Sequence, residues 1–273
     1  MPAERLKYLK KRVIIQMSNN LRAGIVSVTF RQYAFRHFIE YIKPSGLSCI
    51  EWGGDIHAPY NDLQKAEAIA GEMQKNNLVT ASYGSYYRLG QTHEPEQFSM
   101  ILETAKKLSA PMIRVWGGAK ASRKLTKQER KEIIGDALVT AEKARQENIK
   151  VSLEYHADTI TDTIKSALDF IREVRKQGGV NIYLYWQPNQ FTDYIDNKSD
   201  LMLLCPYLTN IHVFAWDKNE RLPLAEHKDR WKSYIHVIKN HGGEHDFLLE
   251  FVKDDAVGQM LEDAKILIEL LDI

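Results

Sequence analysis

From Gly24 onward, short runs of apolar and β-branched residues alternate with longer stretches in which apolar residues recur every three or four positions. The short runs are typical of strands buried on both faces, and the longer stretches are typical of amphipathic helices. The pattern predicts eight strands, at Gly24–Phe30, Leu47–Trp52, Leu78–Tyr83, Met112–Trp116, Lys150–Tyr155, Asn181–Trp186, Asn210–Phe214 and Asp246–Val252.

Helical periodicity is clearest at residues 61–77, 94–109, 126–148, 161–179 and 256–271. Asn61 and Thr161 are the expected N-caps, because their side chains can accept the first free N–H groups of a helix. Pro95 suits a first helical turn. Gly178 and Gly179 predict the end of a helix, since glycine readily adopts the left-handed cap conformation.

Eight alternating strand and helix units predict an α/β fold, a (β/α)8 TIM barrel with right-handed crossovers. The rival is an open doubly wound sheet, which would show a glycine-rich phosphate turn after the first strand, and VTFRQYAF is not such a turn. We expect one barrel domain over residues 23–273 after an extension, 1–22. The spacing of Leu6, Leu9 and Val13 predicts a short helix or arm in that extension.

Composition narrows the class of protein. The chain has 273 residues and a net charge of +1, so it lacks the basic excess typical of nucleic-acid-binding proteins. No apolar run reaches the roughly 20 residues of a membrane span, and the apolar stretch near the N-terminus is too short for a secretory signal. Cys49 and Cys205 lie in apolar surroundings and indicate buried thiols, hence a reducing, cytoplasmic location.

Four polar residues fall at the carboxyl ends of four separate predicted strands: Glu154, Gln187, His212 and Glu250. A closed parallel barrel brings such strand ends together. Oxygen ligands with one imidazole suit a divalent cation, so the set predicts a metal-dependent enzyme. Two alternatives remain open at this stage: Glu154 as a structural partner of Arg114, and His212 as an ordinary core histidine.

Other chemistry is poorly represented. The chain has no G-x-S-x-G elbow, no phosphate-binding loop of the Walker type and no H-E-x-x-H motif. Tryptophans close to strand ends, Trp52, Trp116, Trp186 and Trp216, suit either packing or one wall of a sugar pocket.

The segments IEWGGDIHAPY, GSYYRLG, IRVWGG, LEYHADTITDT, YWQPNQ and LLEFV, in this order, resemble the sugar phosphate isomerase/epimerase family of the xylose isomerase-like superfamily. The resemblance implies one divalent ion, Mn²⁺ or Mg²⁺, held by Glu154, Gln187, His212 and Glu250. It differs at Gln187, where the family usually has aspartate, and this loss of one negative charge lowers the expected metal affinity. It also implies that copies of the chain can pair.

The resemblance further implies that Glu154 and Glu250 act as the acid/base pair on a sugar or sugar phosphate. His57, Arg88 and His156 would then bind hydroxyl or phosphate groups, and Trp116 would pack against the sugar. A dehydratase or lyase could use the same site, and a sugar-binding homologue with weakened metal binding would fit Gln187. An endonuclease for abasic DNA sites needs more histidines at its strand ends than this chain has. It also needs a basic surface, and the net charge of this chain does not indicate one.

Overall fold

The structure is a computed structural model that describes residues 19–91, 94 and 96–272. Its eight long strands are all parallel and close into a barrel in the order β1, β10, β7, β6, β5, β4, β3, β2. These strands are β1 (Asn19–Val26), β2 (Cys49–Gly53), β3 (Val79–Arg88), β4 (Met112–Trp116), β5 (Lys150–Glu154), β6 (Ile182–Trp186), β7 (Leu208–Val213) and β10 (Gly243–Leu249). The predicted (β/α)8 barrel is confirmed.

Within the described residues, eight α-helices alternate with the barrel strands, and a short antiparallel hairpin follows β7. The hairpin strands are β8 (Trp216–Asp217) and β9 (Glu220–Arg221). The helices are α1 (Phe35–Ile42), α2 (Leu63–Lys75), α3 (Gln97–Lys107), α4 (Lys127–Gln146), α5 (Ile164–Lys176), α6 (Tyr194–Leu204), α7 (Lys228–His241) and α8 (Val257–Asp272). None of these helices has the length and apolar character needed to cross a bilayer.

The first strand differs from its prediction. It covers Asn19–Val26, and residues 27–30 form a 3₁₀ turn rather than strand. Four residues assigned to the N-terminal extension therefore belong to the barrel, because Asn19 to Ile25 pair in register with Gly243 to Leu249. Residues 1–18 lie outside the described residues, so the helix or arm predicted there remains a prediction.

Helix starts also differ from their predictions. The N-caps are Asp62 and Thr163, whose side chains accept hydrogen bonds from the backbone N–H groups of Lys65 and Ser166. Asn61 is therefore wrong as an N-cap, and so is Thr161, whose hydroxyl group donates instead to the backbone oxygen of Glu154 (2.6 Å). Pro95 lies outside the described residues. The helix end at Gly178 is confirmed, with a φ of +92°.

Alternate residues of the barrel strands face two different environments. Ile50 and Trp52 belong to the large apolar core that also contains helix residues, whereas Cys49 belongs to a second cluster with Tyr185 and Leu248. The period of two therefore places Cys49 and Glu51 inside the barrel. Both predicted buried thiols, Cys49 and Cys205, are buried and free.

Candidate metal and proton-transfer site

Three side chains, each at or just after the carboxyl end of a barrel strand, converge on the ring of His212, which lies near the end of a fourth strand and is fully buried. The His212 Nδ1 atom lies 3.3 Å from Gln187 Oε1. It lies 3.5 Å from an oxygen of Glu154 and 3.5 Å from an oxygen of Glu250. The structure thus brings together all four residues that the strand ends singled out.

The donor set fits a divalent cation. One ligand atom from each of Glu154, His212 and Glu250 lies within 4.8 Å of the others, and Gln187 adds a neutral oxygen. The nearby carboxylate of Glu51 is also buried, and Arg114 is the guanidinium group in contact with this cluster. With His212 neutral, three carboxylates and one guanidinium leave two negative charges, and an ion of charge +2 would balance them.

Arg114, on β4, joins two of these carboxylates. Its Nε atom donates to Glu51 Oε1 at 2.8 Å, and its Nη1 atom donates to Glu154 Oε2. Glu154 therefore pairs with Arg114 and also belongs to the cluster around His212, so the two alternatives for this residue occur together. Glu51 also accepts a hydrogen bond from Ser82 Oγ at 2.6 Å.

The two glutamates predicted to form the acid/base pair have different environments. Burial raises the pKa of Glu154, but Arg114 and then His212 outweigh burial and lower it to about 2. Burial raises the pKa of Glu250 above its ordinary value; His212 opposes this rise and Glu154 reinforces it. Opposite shifts of this kind separate an anion that stays ionised from a carboxylate suited to exchange a proton.

His212 and Glu51 are shifted toward their charged forms. Burial lowers the pKa of His212, but Glu250 and Glu51 outweigh it and raise the pKa to about 10. Burial raises the pKa of Glu51, but Arg114 and His212 outweigh it, so this pKa lies well below the usual range. A bound cation would change this balance, because it competes with a proton for the ring of His212.

The backbone at the barrel mouth is strained at two positions. Phe251, directly after Glu250, has a φ of +54°, and Tyr86 in β3 has a φ of +60°. Bulky residues rarely adopt this conformation, and such strain concentrates at functional sites. Arg31 links the two segments: its Nη2 atom donates to the Tyr86 hydroxyl (2.8 Å), and its Cζ atom lies 5.6 Å from the Phe251 ring centroid.

His57 is not free to bind a ligand, because both of its ring nitrogens have partners within hydrogen-bond distance. It is 1% exposed, its Nδ1 atom is 3.1 Å from Ser27 Oγ, and its Nε2 atom is 3.0 Å from the Tyr33 backbone oxygen. The ring also packs near Phe38 and Trp52. A substrate contact through His57 would require one of these hydrogen bonds to break.

Arg88, Trp116 and His156 do come together at the mouth, on the side of β3, β4 and β5. The Arg88 Cζ atom lies 4.0 Å from the Trp116 ring centroid, and the His156 ring stacks on Trp116 at 4.7 Å. His156 also lines a cavity of about 70 Å³ with Gln187. His156 therefore connects Trp116 and Arg88 with the Gln187 side of the cluster.

Sequence reasoning missed Glu51 and Arg114 as site residues, apart from the possible partnership of Arg114 with Glu154. Both lie within apolar strands, IEW and IRVW, where a charge inside a run is itself the signal. A buried charge is costly unless it is paired, so opposite charges at inward positions of β2 and β4, which flank β3, indicate a buried pair.

Comparisons with known proteins agree with this architecture. The family model described as "Xylose isomerase-like TIM barrel" matches residues 39–271. A curated relative, the 3-dehydroshikimate dehydratase of Bacillus anthracis, is 25% identical over 167 residues, which cover 56% of this chain and 58% of that protein. The match therefore spans little more than half of the relative's length.

Three solved structures share the fold. A probable 3-DHS dehydratase of Bacillus anthracis superposes with a TM-score of 0.76 at 18% identity, covering 90% of this chain and 98% of that one. The IOLI protein with a bound zinc atom gives 0.70 at 15% identity, with 92% and 98% covered. The D-psicose 3-epimerase of Clostridium cellulolyticum H10, solved with D-tagatose, gives 0.69 at 13%, with 92% and 98% covered.

Proposed function

Because the chain belongs to the xylose isomerase-like TIM barrel family, we propose that it is an isomerase or epimerase that acts on a small sugar with one divalent cation. One observation carries the proposal: Glu154, Gln187, His212 and Glu250 each direct one ligand atom into the same space at the barrel mouth. The relatives named as an epimerase and dehydratases support a small polyhydroxylated substrate.

When bound, the cation would polarise a carbonyl group of the substrate and stabilise the enediolate that forms when the neighbouring carbon loses a proton. Glu250 is the proposed base. Among the described residues its carboxylate has no guanidinium or ammonium partner within 4 Å, and its side chain is 9% exposed, at the mouth. Glu154, whose Oε1 atom lies 3.5 Å from the same His212 Nδ1 atom as Glu250, is the proposed partner that returns a proton to the other face of the carbon.

A dehydratase is the second candidate, and the pairing of Glu154 with Arg114 favours it. A carboxylate held by a guanidinium group is a poor proton donor. Elimination needs only one mobile carboxylate: Glu250 takes the proton next to the carbonyl, the C–O bond of the neighbouring hydroxyl breaks, and the departing oxygen takes that proton and leaves as water. The curated relative is itself named a dehydratase.

The test uses protein purified without chelators, loaded with Mn²⁺ and incubated in D₂O with D-psicose, D-tagatose and 3-dehydroshikimate. Proton NMR separates the outcomes. Deuterium at a carbon next to the carbonyl, with conversion to an isomer, supports the first candidate, whereas loss of water supports the second. If Glu154→Gln and Glu250→Gln both keep full activity on the substrate so identified, the proposed roles of the two glutamates are wrong.

The same experiment has a third possible outcome. A protein that binds these sugars tightly but exchanges no proton would be a sugar-binding homologue, which is the hypothesis that Gln187 suggested from the sequence. The cytoplasmic location, the pairing of copies and the lack of nucleic-acid binding remain predictions.

A further inference from the structure

The structure points to a positioning role for the buried pair Glu51 and Arg114. We propose that Arg114 binds one carboxylate oxygen of Glu154 and that Glu51 faces one ring nitrogen of His212. The other oxygen of Glu154 and the other nitrogen of His212 are thereby directed toward the shared space in front of Glu250. The inference rests on the proposed cation site: the pair itself lies on β2 and β4, and it contacts Glu154 on β5 and His212 on β7.

Arg114 fixes the carboxylate of Glu154. The guanidinium Nη1 atom donates to Glu154 Oε2, while Glu154 Oε1 is the oxygen that lies 3.5 Å from His212 Nδ1. Arginine suits this task because its planar fork directs several N–H groups at once. Glu154 therefore presents a single oxygen to a cation, in a fixed direction.

Glu51 acts in the same way on His212. Its Oε1 atom lies 3.5 Å from His212 Nε2, a buried atom with no hydrogen-bond partner in the described part of the chain. A carboxylate behind a histidine favours the tautomer that carries its hydrogen on the facing nitrogen. The lone pair of the neutral ring is then on Nδ1, which faces Gln187, Glu154 and Glu250.

The surrounding strands leave room for the pair and hold it. Ser82 donates to Glu51 Oε2 at 2.6 Å, and the Tyr185 hydroxyl lies 3.3 Å from Ser82 Oγ. At Gly84, on β3, an added Cβ atom would lie 2.8 Å from Arg114 Nη2 and 3.0 Å from Glu51 Oε1. The glycine therefore gives the pair space that any other residue would occupy.

The barrel offers a matched control, the ion pair of Arg22 and Asp246. Arg22 donates to both oxygens of Asp246, at 2.6 and 2.9 Å, near the opposite end of the barrel strands. This pair makes no contact with the site residues in the described structure, so it stabilises the barrel without orienting a ligand. A positioning role predicts that substitutions in the two pairs act differently on metal affinity.

The experiment compares Glu51→Gln, Arg114→Lys and the control Arg22→Lys with the unaltered protein. Glutamine keeps the size of Glu51, and lysine keeps the charge of Arg114, so both variants are conservative tests. Mn²⁺ affinity is measured by isothermal titration calorimetry and by the electron paramagnetic resonance signal of free Mn²⁺, and folding by circular dichroism. We expect each site variant to bind Mn²⁺ about tenfold or more weakly, within the range seen when residues behind metal ligands are replaced, and Arg22→Lys to leave affinity unchanged.

Unchanged Mn²⁺ affinity in either folded site variant overturns the positioning role, and so does an equal loss in Arg22→Lys. If the unaltered protein binds no Mn²⁺, the proposed cation site fails, and crystal structures without metal decide the inference separately. A rotated His212 ring in Glu51→Gln and a displaced Glu154 carboxylate in Arg114→Lys support it. Side chains that keep their places in both variants refute it.

Discussion

The Oε1 atom of Gln187 lies 3.3 Å from the Nδ1 atom of His212, so an uncharged amide contacts the ring nitrogen that also faces Glu154 and Glu250. The amide can supply an oxygen to a cation but no negative charge. It is the one proposed ligand side chain here that is neutral at every pH in the physiological range.

Gln187→Asp is expected to raise the affinity for Mn²⁺ by about tenfold or more, because a charge–charge contact of about 1.4 kcal/mol already gives a factor of ten. Isothermal titration calorimetry measures the change. Asn189→Asp is the control, since it adds the same charge two residues later, where the side chain accepts a hydrogen bond from the Phe191 backbone N–H. An equal gain in Mn²⁺ affinity in Asn189→Asp would show that the added negative charge acts through the overall electrostatic field of the site and not as a ligand.

Gly84→Ala is expected to weaken Mn²⁺ binding without removing any charged group. The new methyl group would lie 2.8 Å from Arg114 Nη2, and Arg114 cannot swing aside without leaving Glu51 or Glu154. Calorimetry of the folded variant checks this result.

Gly71→Ala serves as its control, because an added Cβ there meets nothing within 4 Å. Gly71 lies within α2, where alanine is the better helix former by about 1 kcal/mol, so this variant should be as stable as the unaltered protein or more stable. Unchanged Mn²⁺ affinity in Gly84→Ala would show that the pair tolerates displacement.

His57→Ala and His156→Ala are expected to act on different properties. Loss of the buried His57 ring removes its hydrogen-bond contacts with the Ser27 hydroxyl, which still accepts from the Gly53 backbone N–H, and with the Tyr33 carbonyl oxygen, and it opens a cavity. The free energy of unfolding should therefore fall by about 2–4 kcal/mol. His156 is half-buried beside Trp116, and its removal should raise KM with little loss of stability. The reverse pattern, a raised KM in a stable His57→Ala protein, would support the substrate contact predicted for His57.

Asp263 is expected to make the protein less stable as the pH rises from 4 to 7. Burial raises the pKa of this carboxyl group to about 6, from an ordinary value of 3.8, and its hydrogen bonds from Leu224 and Gln259 oppose the shift. The folded state therefore binds more protons than the unfolded state between these values. Its stabilising contribution is complete below pH 3.8 and is lost as the pH passes 6.

Asp263→Asn keeps an oxygen acceptor for the Leu224 N–H and removes the titration. Urea unfolding at pH 4.5, 5.5 and 7 should show the variant gaining stability relative to the unaltered protein as the pH rises, by up to about 3 kcal/mol. Asp136→Asn is the control, since Asp136 also accepts a backbone N–H, that of Gly90. A constant difference across the three pH values would contradict the prediction.

Hydrophobic periodicity predicted most of the helices and strands. Local features of the sequence explain why others were missed or were given the wrong bounds. Helices α1, α6 and α7 lie outside the five segments whose periodicity predicted a helix. In α6, Met202 and Leu203 are exposed beside the buried Leu201 and Leu204, which obscures the apolar stripe. Strand β1 begins at Asn19, earlier than its apolar run, because pairing with β10 rather than side-chain pattern defines its start.

By itself, the sequence determined the barrel and the four side chains at its strand ends, because alternation and strand-end placement are properties of the chain's own order. Only the tertiary structure decided that Glu51 and Arg114 lie behind those side chains and that His57 is held by Ser27 and Tyr33. Which face of a strand points inward depends on the pairing of neighbouring strands, and the register of β2 against β3 shifts at Ile50 and Glu51. A shift of one residue reverses which side chains meet, and this information lies in the closed barrel rather than in any one segment.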